Sequence, residues 1–228
     1  MIGPPSKFRM AVELPRAAWN VASLMRYREA LQGAPRGDGR PIMLLPGLVN
    51  SDLSNTVMRN FLNRLGYRAV GWGLGRNFGA RAVGQEAERL IAKVQALHDE
   101  SGQKVTLIGV SLGGIMARIV AQRRPDLVRE VITVSSPYAG PPTATNVWRA
   151  FELLSGEKIG DDAVKLRAAE AAAPLTVPST AIWSRSDGLV NGMICHDANA
   201  HAIEIRSSHM GVQLKAETLL AIAETLAR

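Results

Sequence analysis

The chain has 228 residues, 46% of them hydrophobic, which suffices for one sizeable core and suits a single α/β domain. No apolar run reaches the length of a membrane span, and the opening Met1-Ile2-Gly3-Pro4-Pro5-Ser6-Lys7 lacks the apolar stretch of a signal peptide; with Cys195 the only cysteine, an internal disulfide is excluded and a cytoplasmic setting is expected. The formal charge of +7 is spread along the chain, with seven basic and three acidic residues in 1–40, and no nucleic-acid motif accompanies it, so nucleic acid is excluded as a partner while peripheral contact with an anionic membrane surface stays open.

In chain order, residues 1–14 show no clear periodicity. From Pro15 the spacing predicts a helix with Ala18, Val21, Ala22 and Met25 on one stripe, and Gly33–Gly39 breaks the chain. Residues 1–40 are expected as a helical extension packed on the main domain, which spans 41–228. Pro41–Leu45 reads as a buried strand ending in the Pro46-Gly47 turn. Helical spacing follows at Val57, Phe61, Leu62 and Leu65, with Gly66 as the stop. Tyr67–Val70 is a short strand, Gly71–Gly84 a glycine-rich loop, and Val83–Ser101 a helix with Leu90, Ile91, Val94 and Leu97 inward. Further strands are expected at Val105–Val110, Val131–Val134, Ala181–Trp183 and Ile203–Ile205, and a last helix at Val212–Leu226. Strands alternating with helices in this way imply a mostly parallel sheet covered on both faces.

One excursion interrupts the alternation. Residues 137–178 carry Pro141-Pro142 and two helical stretches, Val147–Leu154 and Ala163–Ala173, between one strand and the next. Such excursions build lids and substrate pockets, and Val147, Trp148, Phe151, Leu153 and Leu154 are candidates to line an acyl pocket. Packing of the same residues on the sheet is an equal alternative at this stage.

The chemistry gathers at Val105–Ala117. A strand buried on both faces runs into Gly109-Val110-Ser111-Leu112-Gly113 and continues as a helix with Ile115, Met116, Ile119 and Val120 at helical spacing. A strand–turn–helix with this glycine pattern presents Ser111 Oγ above a helix N-terminus at the carboxyl end of the sheet. A serine hydroxyl needs a base, and the base needs a carboxylate to hold its tautomer. His98 lies upstream on a helix. His196 and His201 flank a turn containing Asp197, whereas His209 stands in Ser207-Ser208-His209-Met210-Gly211, a loop after a strand, and is preferred to both. Asp187 follows a strand in a turn closed by Gly188; Asp161 and Asp162 have no strand before them. The order Ser111, Asp187, His209 is that of one known nucleophile-elbow arrangement. An oxyanion would need two donors, for which the Leu112 N–H and, from the loop after the first strand, the Leu48 N–H are the candidates.

These segments, together with Ser135-Ser136-Pro137-Tyr138-Ala139-Gly140 and Ser186-Asp187-Gly188-Leu189-Val190, resemble the α/β-hydrolase superfamily, specifically its lipase and esterase-like members, over residues 41–228. The resemblance implies an α/β-hydrolase fold, a serine hydrolase of small-molecule or lipid esters, and neither a metal nor an organic cofactor. One departure stands out: such lipases usually open the oxyanion loop with His-Gly, the histidine bracing it, and here the pair is Pro46-Gly47. An acyltransferase or thioesterase built on the same triad is the enzymatic alternative, and a non-catalytic hydrolase-like binding protein the other.

Overall fold

A computed structural model describes residues 2–228. Six strands form one parallel sheet: β1 (Pro41–Leu45), β2 (Arg68–Gly71), β3 (Val105–Val110), β4 (Val128–Val134), β5 (Ser179–Trp183) and β6 (His201–Glu204), in the spatial order β2-β1-β3-β4-β5-β6. The alternation of a pleated strand sorts the apolar residues into two cores. Ile42, Leu44, Ile108, Val110, Ile132 and Val134 face helices α4 (Thr56–Leu65) and α10 (Ala216–Leu226). Met43, Leu45, Val105, Leu107 and Val131 face α6 (Glu88–Ser101) and α7 (Leu112–Arg123). Burial on both faces explains why β1 reads as an unbroken apolar run and β3 as a run broken only by the β-branched Thr106, whose hydroxyl donates to Glu130. The fold is the doubly covered, mostly parallel α/β arrangement expected of the chain.

Several boundaries differ from the sequence reading, each for a local reason. Residues 1–14 contain α1 (Lys7–Ala11), capped by the Ser6 hydroxyl, and α2 begins at Glu13 and runs to Arg26, with α3 (Arg28–Gln32) after it. The helix expected from Val83 starts only at Glu88. The short α5 (Ala80–Val83) precedes it, and Ala87, with φ of 55°, turns the chain between them. Lys215 is extended and divides the expected last helix into a 3₁₀ turn, Val212–Leu214, and α10. The excursion holds α8 (Trp148–Ser155) and α9 (Asp162–Ala172).

The largest reversal concerns α2. Its stripe of Ala18, Val21, Ala22 and Met25 faces solvent, and the helix lies against the domain through Glu13, Asn20 and Ser23, which are buried, with Leu24 touching the core. A polar inner face is stable only where each group finds a partner, and all three do: Ser23 Oγ accepts from Ala216 N (2.9 Å), and Glu13 and Asn20 bond to loops described below. Among the described residues no helix is long and apolar enough to cross a membrane.

Candidate active site

Because all six strands are parallel, the loops after β1, β3, β5 and β6 leave from the same edge of the sheet, and Leu48, Ser111, Asp187 and His209 each sit in one of them. Ser111 lies between β3 and α7 with φ of 52° and ψ of −120°, a conformation that costs a non-glycine residue about 1–3 kcal/mol and is held by the structure around it. Its N–H donates to Val134 O at 2.8 Å. The turn tolerates no side chain at two neighbours: a Cβ on Gly109 would run into the Gly113 backbone, and one on Gly113 into the Leu45 and Pro46 carbonyls. The sequence pattern therefore reports close backbone approach as much as flexibility.

His209 stands in the loop after β6. Its Nδ1 lies 2.7 Å from Asp187 Oδ2 and its Nε2 lies 3.1 Å from Ser111 Oγ. With Nδ1–H donating to Asp187, the Nε2 lone pair accepts from the serine hydroxyl. The other Asp187 oxygen accepts from Leu189 N (2.9 Å) and Val190 N (2.8 Å), which fixes the carboxylate plane. Serines stitch the acid loop to the base loop: Ser184 Oγ accepts from Ser207 N at 3.0 Å, and Ser186 Oγ donates to Ser207 O at 3.1 Å. Burial disfavours a charged His209, but the charge and hydrogen bond of Asp187, helped by Glu13, outweigh it and raise the pKa above 6.5. A raised folded pKa adds stability below the unfolded value of 6.5 and loses it as pH rises through the folded value.

Leu48 and Leu112 both border the cavity beside Ser111. Among the described residues neither backbone N–H donates to any group of the protein. A Cβ on Gly47 would stand 3.4 Å from Ser111 Cβ, so the loop after β1 is pressed against the candidate nucleophile. The brace that Pro46 cannot supply comes from Asn77, which is fully buried. Its Nδ2 donates to Pro46 O at 2.7 Å, its carbonyl accepts from Val49 N at 2.7 Å, and its N–H donates to Asn50 O at 2.8 Å.

Sequence reading did not find Asn77, Glu13 or Asn20. Glu13 Oε1 accepts from Gly188 N and Oε2 from Met210 N, each at 2.8 Å, so one carboxylate ties the acid loop to the base loop. Asn20 Nδ2 donates to Ser208 Oγ (2.8 Å) and Ser207 Oγ (3.1 Å). The signal for these residues is the polar spacing 13, 16, 20, 23 on α2, which sequence alone cannot orient.

The other histidines are elsewhere. His98 is on α6 beside Asp99, and His201 follows the Asp197 turn as the first residue of β6, with Arg228 against it. His196 packs on the Trp183 ring, centroids 4.5 Å apart, while Asp197 faces Arg118 at 3.6 Å. Cys195 is packed among Ala144, Trp183, Val190 and Ile194, and burial, with the Asp187 charge adding, pushes its thiol pKa well up. Among the described residues no group of three or more His, Cys, Asp or Glu side chains is placed to hold a metal ion.

A cavity of about 170 Å³ opens beside Ser111, walled by Ile115, Met116, Val147, Trp148, Phe151 and Val164 among others. Trp148 and Phe151, three apart, share the inner side of α8. Leu153 and Leu154 do not line the cavity, and Leu153 is 81% exposed because two residues advance the helix by more than half a turn. The pH expectation follows from the histidine. A histidine that is to take a proton from Ser111 must be neutral, so a reaction routed through His209 should slow, in kcat/KM, as pH drops through the raised pKa. Glu13→Gln removes one of the charges that raise it and should move that limb to lower pH, as a pH–rate profile would read.

A family model described as the alpha/beta hydrolase fold matches residues 86–177. Among solved structures, the chain is similar to Bacillus licheniformis lipase BlEst2 (TM-score 0.61, 17% identity, covering 85% of this chain and 94% of that one). It is also similar to Aspergillus fumigatus lipase B (TM-score 0.57, 16% identity, 87% of this chain and 57% of that longer one). A thioesterase domain from the curacin biosynthetic pathway gives a TM-score of 0.53 at 17% identity, covering 85% of this chain and 90% of that domain.

Proposed function

From the α/β-hydrolase fold that this chain carries, we propose that it is a serine hydrolase cleaving carboxylic esters through an acyl-enzyme on Ser111. The observation that carries the reading is the unbroken relay from Asp187 Oδ2 through both nitrogens of His209 to Ser111 Oγ, set beside an apolar cavity. Ser111 Oγ attacks the ester carbonyl while His209 Nε2 takes its proton. The oxyanion accepts from the Leu48 and Leu112 N–H groups, which donate to no other acceptor among the described residues. His209 then passes the proton to the leaving alkoxide, the alcohol departs, and a water activated by the same nitrogen releases the acid. Asp187 holds the tautomer and stabilises the imidazolium throughout.

The acyl chain occupies the cavity against Trp148 and Phe151. A thioester would use the same groups, and the likeness to a thioesterase domain supports that second acyl donor. The test is turnover of p-nitrophenyl esters of graded chain length beside acyl thioesters. Hydrolysis of esters with a preference for apolar acyl groups is expected, and a folded protein inert towards every ester would overturn the reading.

The same assay examines α8 as a lid. Trp148 and Phe151 are half-buried over the cavity and belong to neither large core of the sheet. Replacing both by Ser should therefore lower activity on long-chain or aggregated esters, spare short soluble ones, and leave the melting temperature nearly unchanged. Equal loss on both classes with a collapsed melting curve would show a core role instead.

A further inference from the structure

The outer surface of α1 and α2 has the composition of a buried face. Eight residues of α2 are exposed, and seven are apolar: Leu14, Pro15, Ala18, Trp19, Val21, Ala22 and Met25, with Arg26 the exception. The side chains are far from covered, at 67% for Leu14, 66% for Trp19 and 81% for Met25, and Phe8 of α1 extends the surface at 77%. A patch this continuous on a soluble surface marks a place where something docks. We propose that the outward face of α1 and α2 seats this protein on a membrane surface rich in anionic lipid.

Charge selects that occupant. Lys7, Arg9, Arg26 and Arg28 lie on or at the ends of these helices and are exposed. Apolar side chains with an interfacial tryptophan and a basic border are what a helix lying in the headgroup region of an anionic bilayer requires. A second copy of the chain packed on the same face by a two-fold axis would bring the basic borders together and meet like-charge repulsion.

The inward side of the same helix explains how the outer one stays apolar: Glu13, Asn20 and Ser23 hold α2 to the domain through hydrogen bonds, leaving the hydrophobic side chains free. The docking face is also next to the cavity. Lys7 Nζ donates to Asn146 Oδ1 at 3.0 Å, Asn146 Nδ2 donates to Pro5 O at 3.0 Å, and the residues either side of Asn146, Thr145 and Val147, line the cavity wall.

The experiment is co-sedimentation of the full chain with vesicles of phosphatidylcholine alone and with about one third phosphatidylglycerol, at low and high salt. Binding to the anionic vesicles, weakened by salt, is expected. A Leu14→Ser, Trp19→Ser, Met25→Ser variant should lose it by about tenfold or more. Its melting temperature and its turnover of soluble p-nitrophenyl acetate should stay those of the parent. Arg26→Gln with Arg28→Gln should reduce the preference for anionic over neutral vesicles. No binding by the parent chain, or undiminished binding by the triple variant, overturns the proposal. So does a concentration-dependent dimer that the triple variant dissolves in the absence of vesicle binding.

Discussion

Ser111→Ala should reduce ester turnover by about 10⁴-fold or more in kcat while leaving the fold intact, and His209→Ala should do the same. The two losses have one cause. Without the hydroxyl no acyl-enzyme forms, and without the imidazole the hydroxyl keeps its proton, since no other base lies within hydrogen-bond reach of Ser111 Oγ among the described residues. Residues that act as a unit are not additive, so the double variant should lose little beyond either single one. Ser111 already occupies a strained backbone position at the mouth of a cavity, and exchanging its hydroxyl for hydrogen opens no hole in either core. Melting curves of the single variants should therefore overlay that of the parent. Near-parental turnover of an activated ester by Ser111→Ala would remove Ser111 from the mechanism.

Asp187→Asn carries the second large effect, on the order of 10⁴-fold in kcat. The loop geometry should survive, because the asparagine carbonyl can still accept from Leu189 and Val190 N–H. The amide N–H₂ would then face His209 Nδ1 and make it an acceptor, placing the ring proton on Nε2, where Ser111 needs a lone pair. Asp197→Asn is the control. Asp197 caps a turn through Asn199 and Ala200 N–H and faces Arg118, with no contact to the serine or its histidine, so kcat should stay within about tenfold of the parent. A crippling Asp197→Asn beside a mild Asp187→Asn would reassign the acid.

The legible part of the chain was whatever local pattern and chain order determine. Val105–Val110 announces a strand buried on both faces because every residue of it is apolar or small, and the glycines around Ser111 announce a turn with no room for side chains. The loops of Asp187 and His209 could be placed at the same edge as Ser111 because parallel strands deliver their following loops to one side of the sheet. Contacts across the chain were not legible in this way. Glu13 reaches Gly188 and Met210 from 175 and 197 residues away, and the polar spacing around it on α2 does not say which loops it meets. Asn77 sits in a loop 31 residues from the carbonyl it braces, and the absence of histidine before Gly47 gave no hint of where the substitute would come from. The α2 stripe misled for a physical reason. Periodicity shows that a helix has two faces, but hydrogen-bond partners for Glu13, Asn20 and Ser23 decide which one turns inward.

The central claim, that Ser111 is a nucleophile activated by this relay, is tested most directly by a fluorophosphonate, which phosphonylates an activated serine with loss of fluoride. Mass mapping after digestion should find one adduct per chain, on the peptide holding Ser111, with labelling lost in His209→Ala and ester turnover falling in proportion to adduct formed. An adduct on another residue, or full ester turnover by a chain whose Ser111 stays unmodified, would contradict it.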